Sequence, residues 1–85
     1  IKAVLMVQID TASGVVNDVP AVRRAIDAAG HPALFMVDGV ASVGCMPFEM
    51  DSWGVDVAMS ASQKGLMTSP GLAFVAANEK AIAST

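Results

Sequence analysis

AVLMVQID, residues 3–10, is the stretch on which the reading of the fold turns. Its first five residues form a continuous apolar run rather than an apolar–polar alternation. That is the pattern of a strand covered on both faces, and the polar cluster from Gln8 to Gly14 ends it. Strands of this kind belong to parallel sheets, whose crossover connections lay helices on the faces, so the signal should recur with helix signals between. A second buried run, Ala33–Val37, ends at Asp38-Gly39. A third short strand is read at Val55–Met59 and a fourth at Leu72–Ala77, after the Pro70-Gly71 turn. Between the first two runs, Asn17 or Asp18 can cap a helix and Pro20 suits its first turn. Val19, Val22, Ile26 and Ala29 then recur at helical spacing until Gly30 stops it. Arg23, Arg24 and Asp27 are expected to face water from this helix. Asn78-Glu79 can cap a terminal one. The resulting order is β-α-β, an irregular crossover through Pro47, a third strand, and a last strand after a loop. This is an α/β arrangement with a mainly parallel sheet. Periodicity leaves the direction of the last strand open.

Composition sets the limits around that reading. A hydrophobic content of 54% over 85 residues is too high for a disordered chain and sufficient for one small core. So apolar a chain is unusual for a short domain, which leaves much of its surface exposed. It also begins at Ile1 within an apolar run, so residues 1–85 are expected to be one incomplete domain of a larger enzyme. The net charge is −3 and the five basic residues form no stripe, which argues against nucleic acid or an anionic membrane as partner. No apolar stretch approaches the roughly 20 residues of a membrane span. Small molecules are the expected partners. The single cysteine, Cys45, allows no internal disulfide and no thiolate metal site of its own. A reducing, cytoplasmic compartment is expected, any organellar signal belonging upstream. Bland roles are expected for Cys45 as a small buried hydrophobe, for the six methionines as fillers of the buried runs, and for Trp53 as a ring over the core. Lys2 and Lys80 are read as solvated, and His31 as lying near a helix C-terminus.

In open α/β sheets, ligands bind beyond the carboxyl ends of the strands. Those ends carry Asp10-Thr11, Asp38-Gly39-Val40 and the segment Ser60–Lys64. Taken singly, each is the polar loop that any buried strand needs. Taken together they offer a chemistry. A lysine among small residues can approach an aldehyde closely, and desolvation favours its neutral, nucleophilic form. A strand-end aspartate can keep a basic ring nitrogen protonated. Together they match the needs of pyridoxal 5'-phosphate, although singly most lysines are solvated and most strand-end aspartates cap a turn.

Four segments carry a resemblance: VDGVASVG at 37–44, MDSWGVDV at 50–57, SASQKGL at 60–66, and Pro70-Gly71. They resemble the class V aminotransferases, most closely the serine/alanine–glyoxylate group. QIDTASGV at 8–15 is similar to that family's strand-end segment H-x-E-[ST]-[SA]-[ST]-G-V. The resemblance implies that the chain is part of the mainly parallel-sheet large domain of a fold-type-I transferase dependent on pyridoxal 5'-phosphate. It implies a homodimer that moves an amino group from serine or alanine to a small 2-oxo acid such as glyoxylate or pyruvate. Carried over by position, it makes Lys64 the lysine of the internal aldimine and the proton shuttle, and Asp38 the partner of the pyridine nitrogen. Val40 would pack on one face of the ring, Thr11 would lie near the phenolic oxygen, and Gln63 beside the phosphate or that same oxygen. Gln8 and Asp10 depart from the family's histidine and glutamate and receive no role. Two other readings stand beside this one. A cysteine-desulfurase-like lyase would share the aldimine, but Gln63 stands where that group commonly has histidine, and Cys45 lies outside the region of its attacking cysteine. The isolated piece would be inactive if its phosphate loop and substrate-carboxylate arginine lie elsewhere in a longer chain. Arg23 and Arg24, on a helix face, are poor candidates for that arginine.

Overall fold

The structure, a computed structural model, describes residues 1–84. It contains strands β1 (Ala3–Val7), β2 (Leu34–Asp38), β3 (Val57–Ala61) and β4 (Ala73–Ala77) and helices α1 (Val19–Ala28) and α2 (Glu79–Ala83). The strands form one sheet in the order β1-β2-β3-β4. The first three are parallel, with Val7 opposite Asp38 and Asp38 opposite Met59. β4 runs antiparallel to β3, with Ala61 opposite Ala73. The carboxyl ends of β1, β2 and β3 and the start of β4 therefore share one edge, the edge on which the ligand-binding segments were expected.

Local chemistry sets the helix ends. Asp18 caps α1, its Oδ1 accepting from Ala21 N at 3.0 Å, and Pro20 sits in the first turn. Gly30, with φ of 65°, ends the run in the left-handed conformation that glycine adopts freely. Asn78 caps α2 through Ala81 N at 2.9 Å. One face of α1 buries Val19 and Ile26 against Phe35, Val37 and Ala58 of the sheet and against Val55. Trp53, half-buried, covers this core as expected and packs on Phe48 with ring centroids 5.6 Å apart and planes tilted by 57°.

Several expectations are corrected. β3 starts and ends two residues later than read: Val55 N instead closes the crossover by donating to Met50 O at 3.0 Å, while Ser60 and Ala61 pair with Phe74 and Ala73. β1 is not covered on both faces by the described residues, since Leu5 is 75% exposed and Val7 is also open while Val4 and Met6 meet the core. The methionines do not all fill gaps: Met59 lies on that same open face, and Met67 is 89% exposed at a turn. Arg23 does not face water. Its side chain is 14% exposed, lies over the Phe35 ring at 5.6 Å, donates to Gly54 O at 2.9 Å and meets Asp27 at 2.9 Å and Asp56 at 3.5 Å. The methylene stem is buried while the guanidinium fork finds acceptors, which a helix-face reading does not anticipate. Lys80 is likewise engaged, donating from Nζ to Ala33 O at 3.2 Å and standing 3.7 Å from Asp56.

Asp56 is the centre of that cluster. It accepts from Phe35 N at 2.8 Å and from Asn78 Nδ2 at 2.7 Å. Burial pushes its carboxyl up, but the hydrogen bonds from Phe35 and Asn78 and the charges of Lys80 and Arg23 outweigh that effect. The net result is a pKa below the ordinary aspartate value. This clamp lies at the edge opposite the strand ends, and joins α1, β2, β3 and α2.

Candidate functional site

Asp38 closes β2, and its Oδ1 accepts from Val40 N at 2.9 Å, a turn that fixes the carboxylate at the strand end. Gly39 follows and donates to Met59 O at 2.9 Å. A Cβ there would stand 2.6 Å from Val43 Cγ2 and 3.3 Å from Met59 O, so a larger residue would have to push the Val43 side chain aside. On the β1 side, Gln8 N donates to Asp38 O at 3.1 Å. Gln8 itself is buried; its Nε2 donates to Pro47 O at 3.3 Å, while its Oε1 has no partner among the described residues. Asp10 builds the next turn, accepting from Ala12 N at 3.0 Å and from Ser13 Oγ at 3.0 Å. Thr11 is exposed at the tip of that turn.

Beyond β3, Gln63 and Lys64 lie exposed at the tip of a loop. Met67 N donates to Lys64 O at 2.9 Å, and Met67 takes a φ of 59°, rare for a side chain of its size. The loops after β2 and β3 touch backbone to backbone. A Cβ on Gly44 would lie 2.7 Å from Gly65 O, and one on Gly65 would lie 2.9 Å from Cys45 Sγ and overlap Val43 O. Cys45 is thus not a buried hydrophobe; it is exposed, with its sulfur against the lysine loop. Lys64, expected to be desolvated among its small neighbours, is exposed in a turn among the described residues.

The structure accordingly brings Asp38, at the end of β2, and half-buried Val40, just after it, beside the loop that carries Gln63 and Lys64, the two loops approaching closely at Gly44 and Gly65, with Thr11 beyond the neighbouring strand. Among the described residues no hydrogen bond or ion pair joins the side chains of Thr11, Asp38, Gln63 and Lys64 to one another. An amine, a carboxylate, a hydroxyl and an amide thus stand on one sheet edge with a half-buried apolar residue beside them. These are donor types that suit a pyridine ring bearing an aldehyde, a phenolic oxygen and a phosphate. Sequence reasoning missed the glycine contact and the part played by Ser62, whose side chain and backbone tie the lysine loop to its returning limb. A signal was available for the first: Gly44 and Gly65 both lie in the polar segments that follow strands. Among the described residues no helix is long and apolar enough to cross a membrane, and no group of three or more His, Cys, Asp or Glu side chains could hold a metal ion.

Comparison with known proteins decides the family. A family model described as aminotransferase class-V matches residues 1–85. The chain belongs to the class V aminotransferases. Members of this family depend on pyridoxal phosphate. The chain is similar to an L-aspartate–glyoxylate aminotransferase of Paracoccus denitrificans, 57% identical over 96% of the chain and 21% of that protein. It is also similar to a serine–glyoxylate aminotransferase of Methylorubrum extorquens, 55% identical over 96% of the chain and 20% of that protein. Among solved structures, an aspartate aminotransferase of Thermus thermophilus superposes with a TM-score of 0.87 at 39% identity, covering 93% of this chain and 23% of that one. The chain thus spans about a fifth of the length of these class V relatives, and its mixed α/β sheet agrees with the large domain of such enzymes.

Proposed function

We propose that residues 1–85 belong to the cofactor-binding large domain of a homodimeric, cytoplasmic transaminase. It would move an amino group from serine or alanine to a small 2-oxo acid such as glyoxylate or pyruvate. The observation that carries this is the position of Asp38 at the carboxyl end of β2 and of Lys64 beyond that of the neighbouring β3, in a class V chain. Glyoxylate as acceptor is supported by its presence in the names of both bacterial relatives, which differ in amino donor.

Bound pyridoxal phosphate supplies an aldehyde carbon that takes up substrate nitrogen and a protonated ring that withdraws electrons. The chain's own residues do the rest. Lys64 would hold the cofactor through Nζ, and its amine, once free, would serve as general base and acid for the substrate's α-proton. Asp38 would keep the ring nitrogen protonated. Val40 would pack against the ring, Thr11 would offer its hydroxyl to the phenolic oxygen, and Gln63 would serve the phosphate or that oxygen.

The test is Lys64→Ala in the full-length enzyme. Both transamination and the visible absorbance of the bound cofactor are expected to disappear, and normal turnover would remove Lys64 from the mechanism. Serine, alanine and aspartate assayed side by side with glyoxylate decide the donor. Release of sulfide from cysteine without ketoacid formation would favour a lyase instead. The isolated 85-residue piece is expected to be inactive, and cofactor titration of it checks this.

A further inference from the structure

Ser62 is fully buried two residues before Lys64, and its polar atoms all turn toward the limb that returns to β4. Its Oγ donates to Ser69 O at 2.7 Å and accepts from Leu72 N at 3.3 Å. Its backbone N donates to Leu72 O at 3.1 Å. Its carbonyl accepts from Thr68 N at 3.0 Å and from Thr68 Oγ1 at 2.8 Å. Nearby Ser60 is also buried, yet its hydroxyl has no partner among the described residues. Burial beside this loop therefore does not by itself recruit a serine into bonding; Ser62 is placed for it. The consequence is a loop, residues 63–67, tied at its base, with Lys64 near its tip and the Met67 N to Lys64 O bond as a second tie.

A lysine amine hangs from four rotatable bonds, so its reach is set by how firmly its Cα is held. We infer that Ser62, seconded by the Thr68 hydroxyl, is a positioning residue that fixes the point from which Lys64 reaches cofactor and substrate. This rests on the reading of Lys64 given above. It adds that the loop closure, and not only the lysine, sets the rate of proton transfer.

The experiment uses full-length enzyme loaded with pyridoxal phosphate. Borohydride reduction and peptide mapping of the wild type first locate the modified lysine, expected at Lys64. Thr68→Val removes one hydroxyl at constant shape from an exposed position, Thr68→Ser keeps it, and Ser62→Ala removes the central tie. In Ser62→Ala and Thr68→Val, the pH midpoint of the cofactor's visible band should shift. In the same variants kcat should fall about tenfold with little change in KM, short of the roughly 10²-fold that a misplacement of about 1 Å can produce. Thr68→Ser should restore both readouts. Should Ser62→Ala fail to fold, Thr68→Val decides alone. Label on Lys64 with an unchanged midpoint and kcat in Thr68→Val overturns the positioning role while leaving Lys64 in place. Label on a different lysine overturns both.

Discussion

A methyl group at position 65 would overlap the carbonyl oxygen of Val43 and crowd the sulfur of Cys45. Backbone cannot retreat as a flexible side chain can. Gly65→Ala should therefore destabilise the protein by about 1–3 kcal/mol, read as a lower urea midpoint, and should weaken cofactor retention. Asp38→Ala tests the other loop: the covalent link to Lys64 should still form and remain reducible by borohydride, while kcat falls by about 10² or more. An unchanged rate would take Asp38 out of the reaction. Asp38 was legible in the sequence as a strand-end carboxylate because it follows an apolar run, and the structure closes β2 with it. Arg23 was not, because its partners Gly54 and Asp56 come 31 and 33 residues later and only the fold brings them under the helix. Cys45 was misread for a similar reason: its burial was inferred from its residue type, and the turn it occupies is shaped by the contact with Gly65.

Elements follow local chemistry more faithfully than single residues do. The bounds of α1 were readable from Asp18, Pro20 and Gly30, and the structure uses all three. Removing the cap tests this directly: Asp18→Ala should cost about 1 kcal/mol in chemical denaturation, with the unfolding slope unchanged. Strand ends were harder. Ser60 and Ala61 look like the start of a polar loop until β4 returns to pair with them, and no single run can disclose its partner. The direction of β4 left more trace than was used. The connection at residues 62–72 contains a Pro-Gly turn and no helix, whereas parallel neighbours need a longer crossover, usually helical.

At the scale of the whole molecule, Asp56 ties α1, β2, β3 and α2 into one unit, and its depressed pKa makes that tie sensitive to acid. The folded state holds the charged form more strongly than the unfolded chain does. Its contribution is thus present above the ordinary aspartate pKa and is lost as pH falls through the lowered folded value. Asp56→Asn should be less stable than wild type near neutrality, and the gap in urea midpoint should narrow as the pH drops through that window. A constant gap would show that charge plays no part. The open sheet face with Leu5, Val7, Met59 and Val75 marks the main difference between sequence and structure at this scale. Continuous apolar runs foretold cover on both sides; residues 1–84 supply it on one face of β1 to β3 and leave every residue of β4 exposed. The spatial order of the strands, identical to their order along the chain, also has a kinetic side. Among the described residues, the strands are joined at residues 8–33, 39–56 and 62–72, and the last connection is the shortest and joins the antiparallel pair β3 and β4. Closing a short hairpin takes microseconds, whereas distant parallel pairings wait on larger losses of chain entropy. In pulse-labelled hydrogen exchange during refolding, amides of β3 and β4 should gain protection before those joining β1 to β2. The lysine loop would then be assembled before the sheet it serves is complete.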